Sequence, residues 1–238
     1  MDELTIPARF NGPPDSGNGG YACGRLAAGI KGPAEVELRA PPPLERVLTV
    51  ERDGETLVAL DGDVLVARAR PAEVALELPA AVSLERAEEA SRAGYERWSS
   101  AHPFPSCVVC GPERPWPDGL GVYPGALDEG GLFASVWLPE ESLAHGGDEG
   151  SVPAECVWAA LDCPTSAPVA NFGEGPPIVL ASLAASLERP AAVGEPHVIV
   201  SWPLELDGRK RRAGAALFDS GGELVACARA LWIELRRE

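Results

Sequence analysis

The tightest constraint on this chain is that it spells one hairpin twice. Residues 58–70 read VALDGDVLVARAR, and residues 216–229 read ALFDSGGELVACAR. Each is an apolar strand, an Asp/Gly turn and a second apolar strand. LVA-x-AR follows the turn in both, at 65–70 and 224–229. A hairpin that recurs 159 residues further along a 238-residue chain, from 65 to 224, implies one structural unit used twice. It directs the search for a site to the seam between copies, and to chemistry present in one copy only.

The rest of the chain fits a duplicated unit. The 24 prolines and 26 glycines favour short strands and tight turns over long helices. Strand-like runs lie at 34–39, 45–52, 55–60, 64–70 and 73–78, with Asp53-Gly54 and Asp61-Gly62 as hairpin turns. They follow a small apolar helix over 19–30. A charged helix over 83–100 begins at Ser83 and connects the halves. The second half repeats the order: strands at 120–124 and 131–138, a helix over 153–163, then strands at 178–188, 196–206, 211–219 and 223–235. Pro153 suits the first turn of that helix and Pro164 is expected to end it. The units are 1–82, the connector 83–101, and 102–238. The fold class is α+β, with two antiparallel sheets that each wrap one helix.

Composition bounds function loosely. Apolar residues make up 45% of the chain, enough for a real core, and no run approaches the roughly 18 apolar residues of a membrane span. The start, MDELTIPARF, is acidic where a signal peptide is basic, so a soluble, cytoplasmic protein is expected. A net charge of −16 argues against nucleic acid and anionic membrane as partners. Six cysteines are too few for a disulfide scaffold.

Three segments carry a resemblance. Asn18-Gly19-Gly20 opens the first helix, HPFPSCVVCGPERPWPDGLGVYPG (102–125) opens the second unit, and AALDCPTSAPV (159–169) closes the second helix. In that order, with the duplication, they resemble the hotdog-fold superfamily in the tandem, double-hotdog form of type II acyl-CoA thioesterases. The resemblance implies an α+β double hotdog, an acyl-thioester substrate such as acyl-CoA, and a homodimer. It implies no cofactor and no metal. The activity it implies is hydrolysis by Asp-activated water. The alternative is a non-catalytic hotdog that binds an acyl or CoA ligand or serves assembly.

The candidate residues follow. Asn18, Gly19 and Gly20 form a candidate oxyanion and substrate-binding helix start, where the backbone N–H groups of Gly19 and Gly20 can polarise a carbonyl; equally, Asn18 can be an N-cap and the glycines a tight turn. Asp162 lies in an apolar helix end, where burial and the helix dipole disfavour its charge and make it a candidate base. It is also compatible with a helix-end Asp bonded to the Pro164-Thr165 turn. By resemblance Asp162 matches the Asp that activates water, and Ser182 matches the family's hydroxyl. The family's Gln falls near Ala230, and the chain has no Gln. Glu155, two turns before Asp162, is either a second carboxylate or first-turn charge. Arg209, Lys210, Arg211 and Arg212 form a basic run that can hold coenzyme A phosphates or guard a hairpin edge. Cys107 and Cys110 form a CxxC, for which Cys156, Cys163, His102 and His145 are further candidate ligands; no second CxxC accompanies it. His145-Gly146-Gly147 reads as a loop.

Overall fold

The two hairpins fold into equivalent strands of one antiparallel sheet. The computed structural model describes residues 2–114, 117–127, 130–143, 147, 150–171 and 175–236. The first half contains β1 (Glu3–Thr5), α1 (Gly19–Ala27), β2 (Ala34–Leu38), β3 (Val47–Asp53), β4 (Thr56–Asp61) and β5 (Val64–Pro71). Helix α2 (Leu84–Ala101) follows, its Ser83 Oγ accepting from the Arg86 N–H. The second half contains β6 (Gly125–Ala126), β7 (Phe133–Trp137), α3 (Ala154–Ser166), β8 (Ile178–Leu187), β9 (His197–Asp207), β10 (Lys210–Phe218) and β11 (Leu224–Glu234).

The strand order is β1-β3-β4-β5-β2 and then β8-β11-β10-β9-β7-β6. Each half runs outward from a shared centre, where β2 and β8 pair antiparallel with Val36 opposite Leu183. The sequence reading divides the strands into two sheets. The structure joins them into one sheet of eleven, because β2 and β8 satisfy each other's backbone groups rather than standing as edges. The echo maps onto this arrangement: β5 lies beside β2, and β11 lies beside β8. The turns before them need a positive φ, which Gly62 (59°) and Gly222 (81°) supply.

Helices α1 and α3 lie together on one face, buried in the main core with Leu26, Leu57, Trp158, Leu161 and Leu183. Helix α2 packs Ala87 and Ala90 on a second cluster with Val198, Val200, Trp202 and Phe218. Among the described residues no helix is long and apolar enough to cross a membrane.

Three element expectations change. Residues 73–78 form no strand: past Pro71 the chain outruns the β2 ladder, which ends at the Ala34–Pro71 pair, though Val74 and Leu76 still pack on the second cluster. Residues 120–124 are irregular, and only Gly125–Ala126 pairs with β7. Pro164 lies inside α3, which continues to Ser166. So near the helix end a proline removes one backbone bond, and Thr165 Oγ1 and Ser166 Oγ donate to the Asp162 and Cys163 carbonyls at 2.6 and 2.7 Å.

Candidate active site

Helix α1 starts at Asn18, whose Oδ1 accepts from the Tyr21 N–H at 2.8 Å. This cap leaves the Asn18 amide nitrogen free to point across the seam. There it donates to Asp162 Oδ2 at 2.9 Å, and the Gly20 N–H donates to the same oxygen at 2.9 Å. The approach is close because residue 20 is glycine: a Cβ there would lie 2.5 Å from Asp162 Cβ and 2.6 Å from the Trp158 carbonyl oxygen. One turn on, Gly24 meets Glu155 in the same way. The first half thus supplies two donors to the carboxylate of the second.

Asp162 is 2% exposed, and its Oδ1 is buried with no hydrogen-bond partner among the described residues. Burial pushes the carboxyl up to about 7; the Gly20 N–H and the Asn18 amide pull against this, while Cys107 adds to the rise. A carboxylate held at one oxygen and unpartnered at the other can orient a water and take its proton.

Asp162 lines a cavity of about 810 Å³. The walls come from both halves, with Asn18, Gly19 and Leu38 from the first and Cys163, Leu180 and Trp232 from the second. Cys107, Cys110 and Cys163 also line it, with Cys107 Sγ 3.8 Å from Cys163 Sγ. Burial holds the His102 ring, another wall residue, below its ordinary pKa, and its Nε2 lies 3.2 Å from Cys110 Sγ.

The structure brings Asn18, Gly19, Gly20 and Asp162 together. It divides their roles differently from the expectation of two free N–H groups, since Gly20 is engaged by Asp162. Gly19, at the first position of α1, has no helical acceptor for its N–H. A Cβ on Gly19 would lie 2.8 Å from Leu180 Cδ2.

Ser182 is not brought to Asp162. The ladder of β8 and β11 skips Ala181, pairing Leu180 with Trp232 and Ser182 with Leu231. This bulge reverses the alternation, so Leu180 and Leu183 join the helix-side core while Ser182 sits opposite Glu37 on the other face. Ala230 is buried between Leu183 and Ala213.

No member of the basic run lines the cavity, among the described residues. Arg211 pairs with Glu234 and donates to the Val169 carbonyl at 3.1 Å. Arg212 pairs with Glu205 at 2.7 Å, Arg209 donates to the Glu234 carbonyl at 3.0 Å, and Lys210 is exposed on the same hairpin. Glu155 pairs with Arg25 at 3.6 Å, as first-turn charge. The cation at the cavity is instead Arg39, exposed just past β2 and without an ion pair among the described residues. As one of many arginines, it carries no local signature in the sequence. His145 lies outside the described residues.

No protein-family model matches the chain, and no curated protein matches its sequence. Solved structures do match. A candidate thioesterase from Novosphingobium aromaticivorans aligns with 98% of this chain and 95% of its own, at 12% identity and a TM-score of 0.61. A hot dog fold protein of unknown function from Alicyclobacillus acidocaldarius aligns with 99% of this chain and 93% of its own, at 12% identity and 0.61. The tesB protein of Mycobacterium avium subspecies paratuberculosis aligns with 99% and 93%, at 15% identity and 0.58. The likeness is one of fold: this chain has the hotdog fold over nearly its whole length.

Proposed function

We propose that the protein is an acyl-CoA thioesterase-like hydrolase whose acyl thioester lies in the seam cavity. The observation that carries this reading is Asp162: buried in the cavity wall, fixed at Oδ2 by donors from the other half, and unpartnered at Oδ1 among the described residues. A water that reaches Asp162 from the cavity gives its proton to the carboxylate as its oxygen attacks the thioester carbonyl carbon. The tetrahedral intermediate collapses, the C–S bond breaks, and the departing thiolate takes the proton from Asp162. The Gly19 N–H receives the charge that develops on the carbonyl oxygen. Arg39, rather than the Arg209–Arg212 run, meets the phosphates at the mouth. The thioesterase name of the Novosphingobium aromaticivorans neighbour supports the substrate class.

Asp162→Asn tests the base. Asparagine keeps an acceptor oxygen for Gly20 and Asn18, so the fold stands while the proton acceptor is lost. Thiol release from a series of acyl-CoA esters should fall by about 10²-fold or more in this variant. An unchanged rate removes Asp162 from the chemistry. If acyl-CoA raises the melting temperature of the unsubstituted protein without thiol release, the chain is an acyl-binding hotdog instead. The position of Ser182 on the far face and the alanine at 230 favour that second reading.

A further inference from the structure

The seam cavity holds a second constellation that hydrolysis by Asp162 does not use. The ligand atoms of Cys107, Cys110 and Cys163 all lie within 4.8 Å of one another, and all three side chains are buried at the cavity wall. All three are free cysteines, and the Cys107–Cys163 sulphur separation of 3.8 Å is far beyond a covalent bond. It matches an S–H···S contact and also the spacing of two sulphurs on one zinc, where bonds of about 2.3 Å at tetrahedral angles set them about 3.8 Å apart.

The CxxC turn is built around its first sulphur. Cys107 Sγ and Cys163 Sγ are in hydrogen-bonding contact at 3.8 Å, with Cys110 Sγ beside them. The Gly111 N–H closes the turn on the Cys107 carbonyl at 2.9 Å. Any Cβ on Gly111 would lie 2.5 Å from Cys107 N, Cys107 O and Pro105 O, so the turn admits only glycine. Two further bonds, Val108 N–H to the Asn11 carbonyl and Val122 N–H to the Val109 carbonyl, both at 2.9 Å, lock the turn in place.

We propose that Cys107, Cys110 and Cys163 hold one zinc ion, with the fourth coordination position open to the cavity. Thiolate ligands select a borderline-soft metal, and three protein ligands leave a tetrahedral ion one position for a water or a bound molecule. All three bind as thiolates, and their protons pass to solvent as the ion binds. His102 is a positioning residue rather than a ligand. Its Nδ1 accepts from the Phe104 N–H at 2.9 Å, so the neutral ring carries its proton on Nε2 and donates it to Cys110 Sγ.

Metal analysis of the full chain, purified without chelator from zinc-supplemented cells, tests this without any assay of hydrolysis. About one zinc per chain is expected. Cys107→Ser and Cys163→Ser should weaken zinc more than about 100-fold, whereas Cys156→Ser, at a buried thiol outside the cluster, should leave it unchanged. His102→Ala should keep one zinc per chain with affinity lowered about 10–100-fold. Cobalt(II) in the unsubstituted protein should show tetrahedral bands with thiolate charge transfer, and added imidazole should shift them. A zinc-free protein, or a cobalt complex without thiolate charge transfer, overturns the site even where a serine variant misfolds. A cobalt spectrum indifferent to imidazole overturns the open position.

Discussion

Asn18 does two jobs with one amide, and the residue scale is where they separate. Its oxygen caps α1 and its nitrogen holds Asp162. Serine keeps a capping oxygen but has no group to reach Asp162; alanine keeps neither. Asn18→Ser and Asn18→Ala should therefore lose catalysis alike, while the alanine variant is less stable than the serine variant by about 1 kcal/mol in urea unfolding. Equal stability would remove the cap from the account. The types of both residues are legible in the sequence: an Asn before two glycines at a helix start, an Asp in an apolar helix. Their bond is not, because residues 144 positions apart in sequence give no local sign of contact. Nor does the sequence show that Gly20 spends its N–H on Asp162, since a capped helix start and an open one read the same.

At the scale of elements, the contact between α1 and α3 decides whether that bond exists. The two helices meet through Gly20 and Gly24, one turn apart, against Asp162 and Glu155. Gly24 lies away from the cavity and isolates packing from chemistry. Alanine there gains about 1 kcal/mol of helix propensity. Its Cβ, however, would lie 2.5 Å from Glu155 Cα and 2.9 Å from Trp158 Cβ, atoms that move only with the helix. Overpacking of this kind costs about 1–3 kcal/mol and should win. Gly24→Ala should lower the melting temperature by about 2–4 °C per kcal/mol of net loss; a rise would mean the helices do not touch there. Hydrophobic alternation and Asp/Gly turns make most strands readable. The misreadings have local causes that periodicity does not register. A bulge at Ala181 turns Ser182 away, and residues 73–78 alternate as a strand but have no ladder to join.

For the whole molecule, the echo becomes the geometry of the site. LVARAR and LVACAR flank the central β2–β8 pair, so the halves face each other through one sheet. The repeated hairpin is readable in the sequence, and it directs attention to the seam, where the described cavity lies. The continuity of the sheet is not readable there, because pairing between β2 and β8 depends on backbone groups that every residue carries. One chain then contributes both halves of the described cavity: Asn18 and Gly19 from the first, Asp162 and the Cys163 sulphur from the second. A site assembled between separate chains comes apart on dilution, and its apparent stability depends on chain concentration. Here the seam is intramolecular, so dilution from micromolar to nanomolar chain should leave the rate of thiol release per chain unchanged. A rate per chain that falls on dilution would show that a second copy supplies part of the site, and would move the working seam from the β2–β8 pair to an interface between chains.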